Sequence, residues 1–232
     1  MSEIRRAGIA LSVDALMQQW ARQEDAPAGS ALIASTEIAG RLRGGVEWRH
    51  DNSISIGVLA RPRALEPSAV ELGWLATSVG AAAALDRVVG ARYGCQWPDR
   101  VLSSPPVTDG GVPDHIMVTS VAQLGPGRIE HVIMIVRIAG LGDAAGEVAT
   151  AVVDEVRVAA HLLDEPASLV ARYRERCTTL GRRVSITLLP RGSTRGLARD
   201  VDPNGALLLE SPTGLVEPVP VATLGRLELI DD

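Results

Sequence analysis

Residues 173–192 read YRERCTTLGRRVSITLLPRG, and the character of the chain changes at Gly181, in the middle of that stretch. Before it, Pro166 opens a helical pattern that runs to residue 179. After it come RRVSITLLPRG, TRGLARDVDPNGALLLES and LVEPVPVATLGRLELI, with turns at Pro190-Arg191-Gly192, Asp202-Pro203-Asn204-Gly205 and Pro212-Thr213-Gly214. About fifty residues of short strands this closely spaced predict a small β-barrel tethered to another domain. The expected organisation is therefore an α/β domain over 1–180, a mixed sheet flanked by helices, followed by a small C-terminal barrel over 181–232.

The preceding residues read as alternating helices and strands. SVDALMQQWARQ puts Val13, Leu16, Met17 and Trp20 on one helical face, with Ser12 or Asp14 able to cap its start. GSALIASTEIA is β-rich, and SISIGVLARP alternates as a strand that Pro62 stops. SAVELGWLATSVGAAAALDRVVG is the longest helical pattern, with Ser68 placed to cap it and Gly90 to end it. RYGCQWPDRVL is a strand running into a turn at Pro98, and SSPPVTDGGVPD is a plain loop. HIMVTSVAQL and HVIMIVRIAG form a hairpin through GPGRIE, and two helices follow over 147–163 and 166–179, separated by Pro166.

Composition narrows the chemistry. The 232 residues are 46% hydrophobic with a formal charge of −5, an ordinary soluble globular balance with no electrostatic invitation to nucleic acid. All 23 Lys+Arg positions are arginine, so no lysine here can act as nucleophile, Schiff base or phosphate clamp. Cys95 and Cys177 lie far apart with no Cys-x-x-Cys spacing, which indicates neither a zinc site nor a disulfide framework. The apolar run near the start is broken by Asp14, too short for a signal segment or membrane span, so a cytoplasmic location with no membrane partner is expected. His50, His115, His131 and His161 share no metal or triad spacing, and Ser30, Ser35 and Ser103 lack the setting of a nucleophile elbow.

Residues 39–48, AGRLRGGVEW, are the other informative stretch. Glycines let a backbone approach phosphate, and arginines offer bidentate contacts to anions. The same residues also suit a turn joining two strands with its arginines solvated.

The tail YRERCTTLGRRVSI, RGLARDVDPNGALLLES and VEPVPVATLGRLEL resembles the C-terminal module of biotin protein ligases, in which a helix ending in Tyr-Arg…Thr-Leu/Ile-Gly leads into an SH3-like β-barrel. The likeness spans 170–229, and earlier segments follow in the family's order. SVDALMQQW resembles the Ser-Thr-Asn helix start that helps hold biotin, and TEIAGRLRGGVEW resembles the Glu-Gln-Thr-Ala-Gly-Arg-Gly-Arg-x-Gly-Arg-x-Trp loop. WLATSVGAAAALDRV resembles the family's long helix, and CQWPDRVL its Lys-Trp-Pro-Asn-Asp strand end. The resemblance implies the short form of the biotin/lipoate ligase group, without a DNA-binding domain.

Such ligases join biotin to AMP through attack of its carboxylate on the α-phosphate of ATP, then pass the acyl group to a lysine of a carrier domain. The resemblance places Ser12, Glu37, Gly40, Arg41, Arg43, Gly45, Trp48 and Trp97 at ligand-binding positions, with Trp48 over adenine and Arg41 and Arg43 facing carboxylate and phosphate. Departures accompany them. Leu42 stands where the family has Gly, Val46 where it has Arg, Val13 where it has Thr and Asp14 where it has Asn. Glu37 replaces the Gln that bonds the biotin ring system, and its charge needs a partner if buried. Gln96-Trp97-Pro98-Asp99-Arg100 loses the leading Lys, the catalytic Gly-x-Lys-x-x-Gly strand has no lysine, and Gly-x-Gly-x-Asn survives only as VRIAGLG. Each lost charge-assisted contact at a phosphoryl centre costs about 10²–10³ in rate, and three such losses about six orders of magnitude if additive.

The expectation is thus a degenerate, non-catalytic or weakly active homologue that binds biotin, lipoate or ATP, a carrier domain, or a ligase or carboxylase subunit, and forms a homodimer through sheet edges. Two alternatives stand beside it: an active ligase in which Arg41, Arg43 and Arg100 replace the lysine, and a purely structural partner protein.

Overall fold

The computed structural model describes residues 2–103 and 115–230; all of the predicted Pro/Gly loop after Ser103 lies outside the described residues. A seven-stranded sheet forms the larger layer, ordered β1-β2-β3-β7-β6-β5-β4. Its strands are β1 (Ile4–Ala7), β2 (Ala31–Ala34), β3 (Ser53–Ala60), β4 (Tyr93–Gln96), β5 (Arg100–Ser103), β6 (His115–Gly125) and β7 (Arg128–Ala139). The pairing β1–β2 is parallel and the others are antiparallel, a mixed sheet as the sequence predicts.

Helices cover both faces. Helix α1 (Val13–Gln23) packs on one side against β2, β3 and β7, while α2 (Leu72–Val89), α3 (Ala145–His161) and α4 (Pro166–Arg176) lie on the other. This explains why every residue of β3 is buried, although alternation alone would turn half of them to solvent. The approach of α1 is close: a Cβ on Gly57 would stand 2.8 Å from Met17 Cγ and 2.9 Å from Val13 Cγ1. Likewise, a Cβ on Gly80 of α2 would meet Val156 Cα of α3 at 2.7 Å.

Local signals explain most helix ends. Ser12 caps α1, its hydroxyl accepting from Ala15 N, and Gly90 closes α2 in the left-handed conformation at φ 72°. Two expectations differ. Ser68 falls inside a short 3₁₀ turn (Pro67–Ala69), so α2 begins only after Glu71, without a side-chain cap. Leu16 is 39% exposed, because α1 buries Val13, Met17, Trp20 and Ala21 instead.

The tail forms a second, fully antiparallel sheet, ordered β11-β10-β9-β8-β12. Its strands are β8 (Arg183–Leu188), β9 (Ser193–Val201), β10 (Leu207–Glu210), β11 (Val216–Val219) and β12 (Leu224–Leu229). A 3₁₀ turn (Val221–Thr223) links β11 to β12. Apolar residues of this sheet, including Val184, Ile186, Leu207 and Leu224, join the core beneath α2 and α4. Trp97 marks the seam, donating from Nε1 to the Gly205 carbonyl at 3.0 Å while Thr179 Oγ1 accepts from its backbone N–H at 2.9 Å.

Candidate functional site

The start of α1, the segment before the glycine loop and the middle of β7 converge on one guanidinium. Arg137 sits among the apolar residues at 132–139 of β7, all of them buried, and its side chain has no exposed surface. Its Nε donates to Glu37 Oε2 at 2.7 Å and its Nη2 to Glu37 Oε1 at 3.1 Å, a bidentate pair. Nη2 also donates to Asp14 Oδ2 at 2.6 Å, and Nη1 to Thr119 Oγ1 at 3.0 Å. Glu37 in turn accepts from the Val13 backbone N–H at 2.7 Å, at the positive end of α1, and from Ser55 Oγ at 2.7 Å. The cluster presses on Gly40: a Cβ there would lie 2.6 Å from Glu37 Oε2 and 3.2 Å from Arg137 Nε.

Two carboxylates thus share one cation. Burial pushes Glu37 towards its neutral form, but the hydrogen bonds and charge of Arg137, with Ser55 and Val13, outweigh it and hold the carboxyl below its usual value. Asp14 goes the other way. Burial raises it above the usual aspartate value, and Glu37 adds to the rise, while Arg137 opposes both. For Arg137, burial favours the neutral form, yet the two carboxylates raise its pKa, so the guanidinium stays charged.

The glycine loop turns on Gly44 and Gly45, both at positive φ (69° and 77°), and closes through Leu42 N to Val46 O and Trp48 N to Gly40 O. Its two arginines have different fates. Arg41 is 54% exposed, pairs with Glu47 at 3.1 Å and donates to the Gly45 carbonyl. Arg43 points into the seam, donating from Nε to Asp99 Oδ2 at 2.7 Å and from Nη1 to the carbonyls of Leu224 and Gly225. Beside it opens a cavity of about 280 Å³ lined by Leu42, Arg43, Trp97, Asp99, Arg100 and Arg226.

The two tryptophans singled out in the sequence are buried. Trp48 donates from Nε1 to Ser53 Oγ at 3.3 Å, and its ring lies 4.3 Å from that of His50, which in turn lies 4.8 Å from His115. Trp97 is the tryptophan that lines the cavity. Among the described residues, no three His, Cys, Asp or Glu side chains gather as metal ligands would. Ser12, Glu37 and Gly40 thus belong to one cluster, and Arg43 and Trp97 to a second; Arg41, Gly45 and Trp48 lie in the loop between them.

Sequence reasoning missed Arg137. A usable signal existed: a single charge inside the apolar run HVIMIVRIAG requires a buried partner, and Glu37 was the carboxylate already in need of one.

Comparison with known proteins agrees with this architecture. Residues 179–223 match the family described as biotin protein ligase C terminal domain. The biotin–[acetyl-CoA-carboxylase] ligase of Mycobacterium tuberculosis is 30% identical over 210 residues, covering 78% of this chain and 73% of that protein. The biotin protein ligase of Aquifex aeolicus, solved with biotin and ATP, superposes with a TM-score of 0.73 at 15% identity, over 99% of this chain and 100% of that one. A biotin protein ligase-like protein of unknown function from a Silicibacter species gives 0.69 at 13% identity, over 95% of each chain. By fold, by its C-terminal module and by its likeness to the mycobacterial enzyme, the chain belongs to the biotin protein ligase family.

Proposed function

We propose that this protein is a degenerate biotin protein ligase that does not form an acyl-adenylate at a useful rate and acts by binding. The observation that carries this reading is the buried Arg137–Glu37–Asp14 cluster. The resemblance puts Ser12 and Glu37 where the biotin ring system is held. Here Glu37 is turned inward, both its oxygens are engaged by Arg137, and no surface of either side chain is open to a ligand. A neutral cyclic urea offers no charge to replace the guanidinium, so displacing it would strand two carboxylates in the interior. These residues do not fit biotin.

The nucleotide side supports the same reading more weakly. Arg43 is engaged by Asp99 and two carbonyls, and the chain has no lysine to bridge a carboxylate and an α-phosphate. The cavity next to Arg43, with Arg100 and Arg226 on its wall, keeps room for an anionic group. On this reading the protein acts in the cytoplasm as a homodimer, engaging a carrier domain or carboxylase subunit. The name of the mycobacterial relative, which gives a carboxylase as that enzyme's protein substrate, supports the choice of partner.

The test is pyrophosphate release from ATP with biotin, lipoate or octanoate, beside calorimetry of biotin, biotinyl-adenylate and ATP. The expected result is no release above the protein-free blank and no heat from biotin. Turnover of about one per second, an ordinary enzymatic rate, would sink the reading.

A further inference from the structure

Cys95 and Cys177, which the sequence keeps far apart, are neighbours in space. Cys95 closes the apolar part of β4, and Cys177 follows α4 directly; the two form an isolated parallel β-bridge. The Thr178 N–H donates to the Cys95 carbonyl at 2.8 Å and the Thr178 hydroxyl to the same oxygen at 3.3 Å. Bridged residues on adjacent parallel strands sit about 4.8 Å apart with side chains on one face, within the Cα separation a disulfide spans.

The two thiols have different surroundings. Cys95 is fully buried, whereas Cys177 retains partial exposure. Around Cys177 stand the backbone N–H groups of Thr179 and Leu180 and the hydroxyls of Thr179 and Tyr173. The Tyr173 hydroxyl beside it is buried with no hydrogen-bond partner among the described residues. A partly accessible sulfur with an unpartnered hydroxyl beside it can accommodate the oxygen of a sulfenic acid. Burial raises both thiols above the usual cysteine range, so the reaction is slow at neutral pH and faster as pH rises.

We propose that Cys95 and Cys177 form a peroxide-responsive dithiol. Hydrogen peroxide transfers one oxygen to Cys177, giving its sulfenic acid and one water. The Cys95 sulfur then attacks that sulfur, the S–O bond breaks, and a second water leaves as the disulfide forms. Two thiols are oxidised and one peroxide is reduced to two waters. The bond fastens β4 to the link between α4 and β8, next to Trp97 and Asp99, the residues that hold the seam and Arg43.

The purified full chain, exposed to a few equivalents of hydrogen peroxide, should pass from two titratable thiols to none. Its mass should fall by two hydrogens, and dithiothreitol should reverse both changes. Cys95→Ala should instead stop at a sulfenic acid on Cys177 that dimedone traps, and Cys177→Ser should leave Cys95 unreactive. Two thiols surviving treatment in the wild-type chain would overturn the proposal, as would oxygen adducts or disulfide-linked dimers in place of the intramolecular product. Because the wild-type measurement needs no substitution, a variant that fails to fold leaves the test intact.

Discussion

Two anion-seeking arginines of this fold, Arg137 and Arg43, lie in neighbouring regions and are neutralised in different ways. Around Arg137 the compensation is complete and internal: a bidentate glutamate, an aspartate and a threonine fill its donors, and no surface remains. Around Arg43 it is partial. One carboxylate and two main-chain carbonyls hold the guanidinium at the seam, but a cavity of about 280 Å³ remains beside it. The first region is core, and the second borders a cavity. A buried ion pair is held in place by the cost of breaking it rather than by its own net stabilisation. The inner cluster therefore resists ligand entry far more than the seam does.

The comparison breaks first at Arg137. Replacing it with Met leaves Glu37 and Asp14 buried without a cation, and urea denaturation should register a loss of about 3–5 kcal/mol. The triple variant Arg137→Met, Glu37→Gln, Asp14→Asn removes all three charges together and should recover much of that loss. A triple variant as unstable as the single one would mean that packing, not charge, holds the cluster.

The same carboxylates give the next largest effect, through pH. Glu37 titrates below its usual value in the folded chain, so its contribution is fully present above the ordinary glutamate range and lost as pH falls through the folded value. Asp14 is raised, chiefly by burial, so its contribution has the opposite sign: present in acid and lost as pH climbs through its folded value. Glu37→Gln should flatten the acid limb of the stability profile, and Asp14→Asn should flatten the limb above it. Identical melting-temperature profiles for wild type and Glu37→Gln would remove the charge argument.

Smaller effects sharpen the contrast between the two loop arginines. Arg43→Ala should cost about 1.5–3 kcal/mol, the worth of charged hydrogen bonds, and should loosen the seam at Leu224 and Gly225. Hydrogen exchange at the start of β12 would record it. Arg41→Ala, two residues earlier, removes only an exposed pair with Glu47 and should change stability by less than about 0.5 kcal/mol. Equal effects at the two positions would mean that the loop has no inward and outward side.

Much of the fold was legible because its signals are local. Ser12 caps α1, Gly90 ends α2, the hairpin β6–β7 turns within 125–130, and Gly181 marks the passage into the second sheet. Ser68 misled because capping needs the helix to begin within reach, and here Pro67 starts a 3₁₀ turn first. The site was legible only as a set of positions. Glu37 could be named as a carboxylate in want of a partner, but its partner lies a hundred residues away on β7. Cysteine spacing indicated no disulfide framework for the same reason, although β4 and the end of α4 bring the two residues side by side.

By itself, the sequence determined the order of helices and strands, the change of architecture at Gly181 and the absence of lysine. These depend on near neighbours and on composition, which the chain carries wherever it folds. Only the tertiary structure decided that Arg137 pairs with Glu37 and Asp14, that Arg43 braces the seam, and that Cys95 forms a bridge with Cys177. Charge compensation and close contact act through space over a few ångströms, and separation along the chain does not determine which residues come that near.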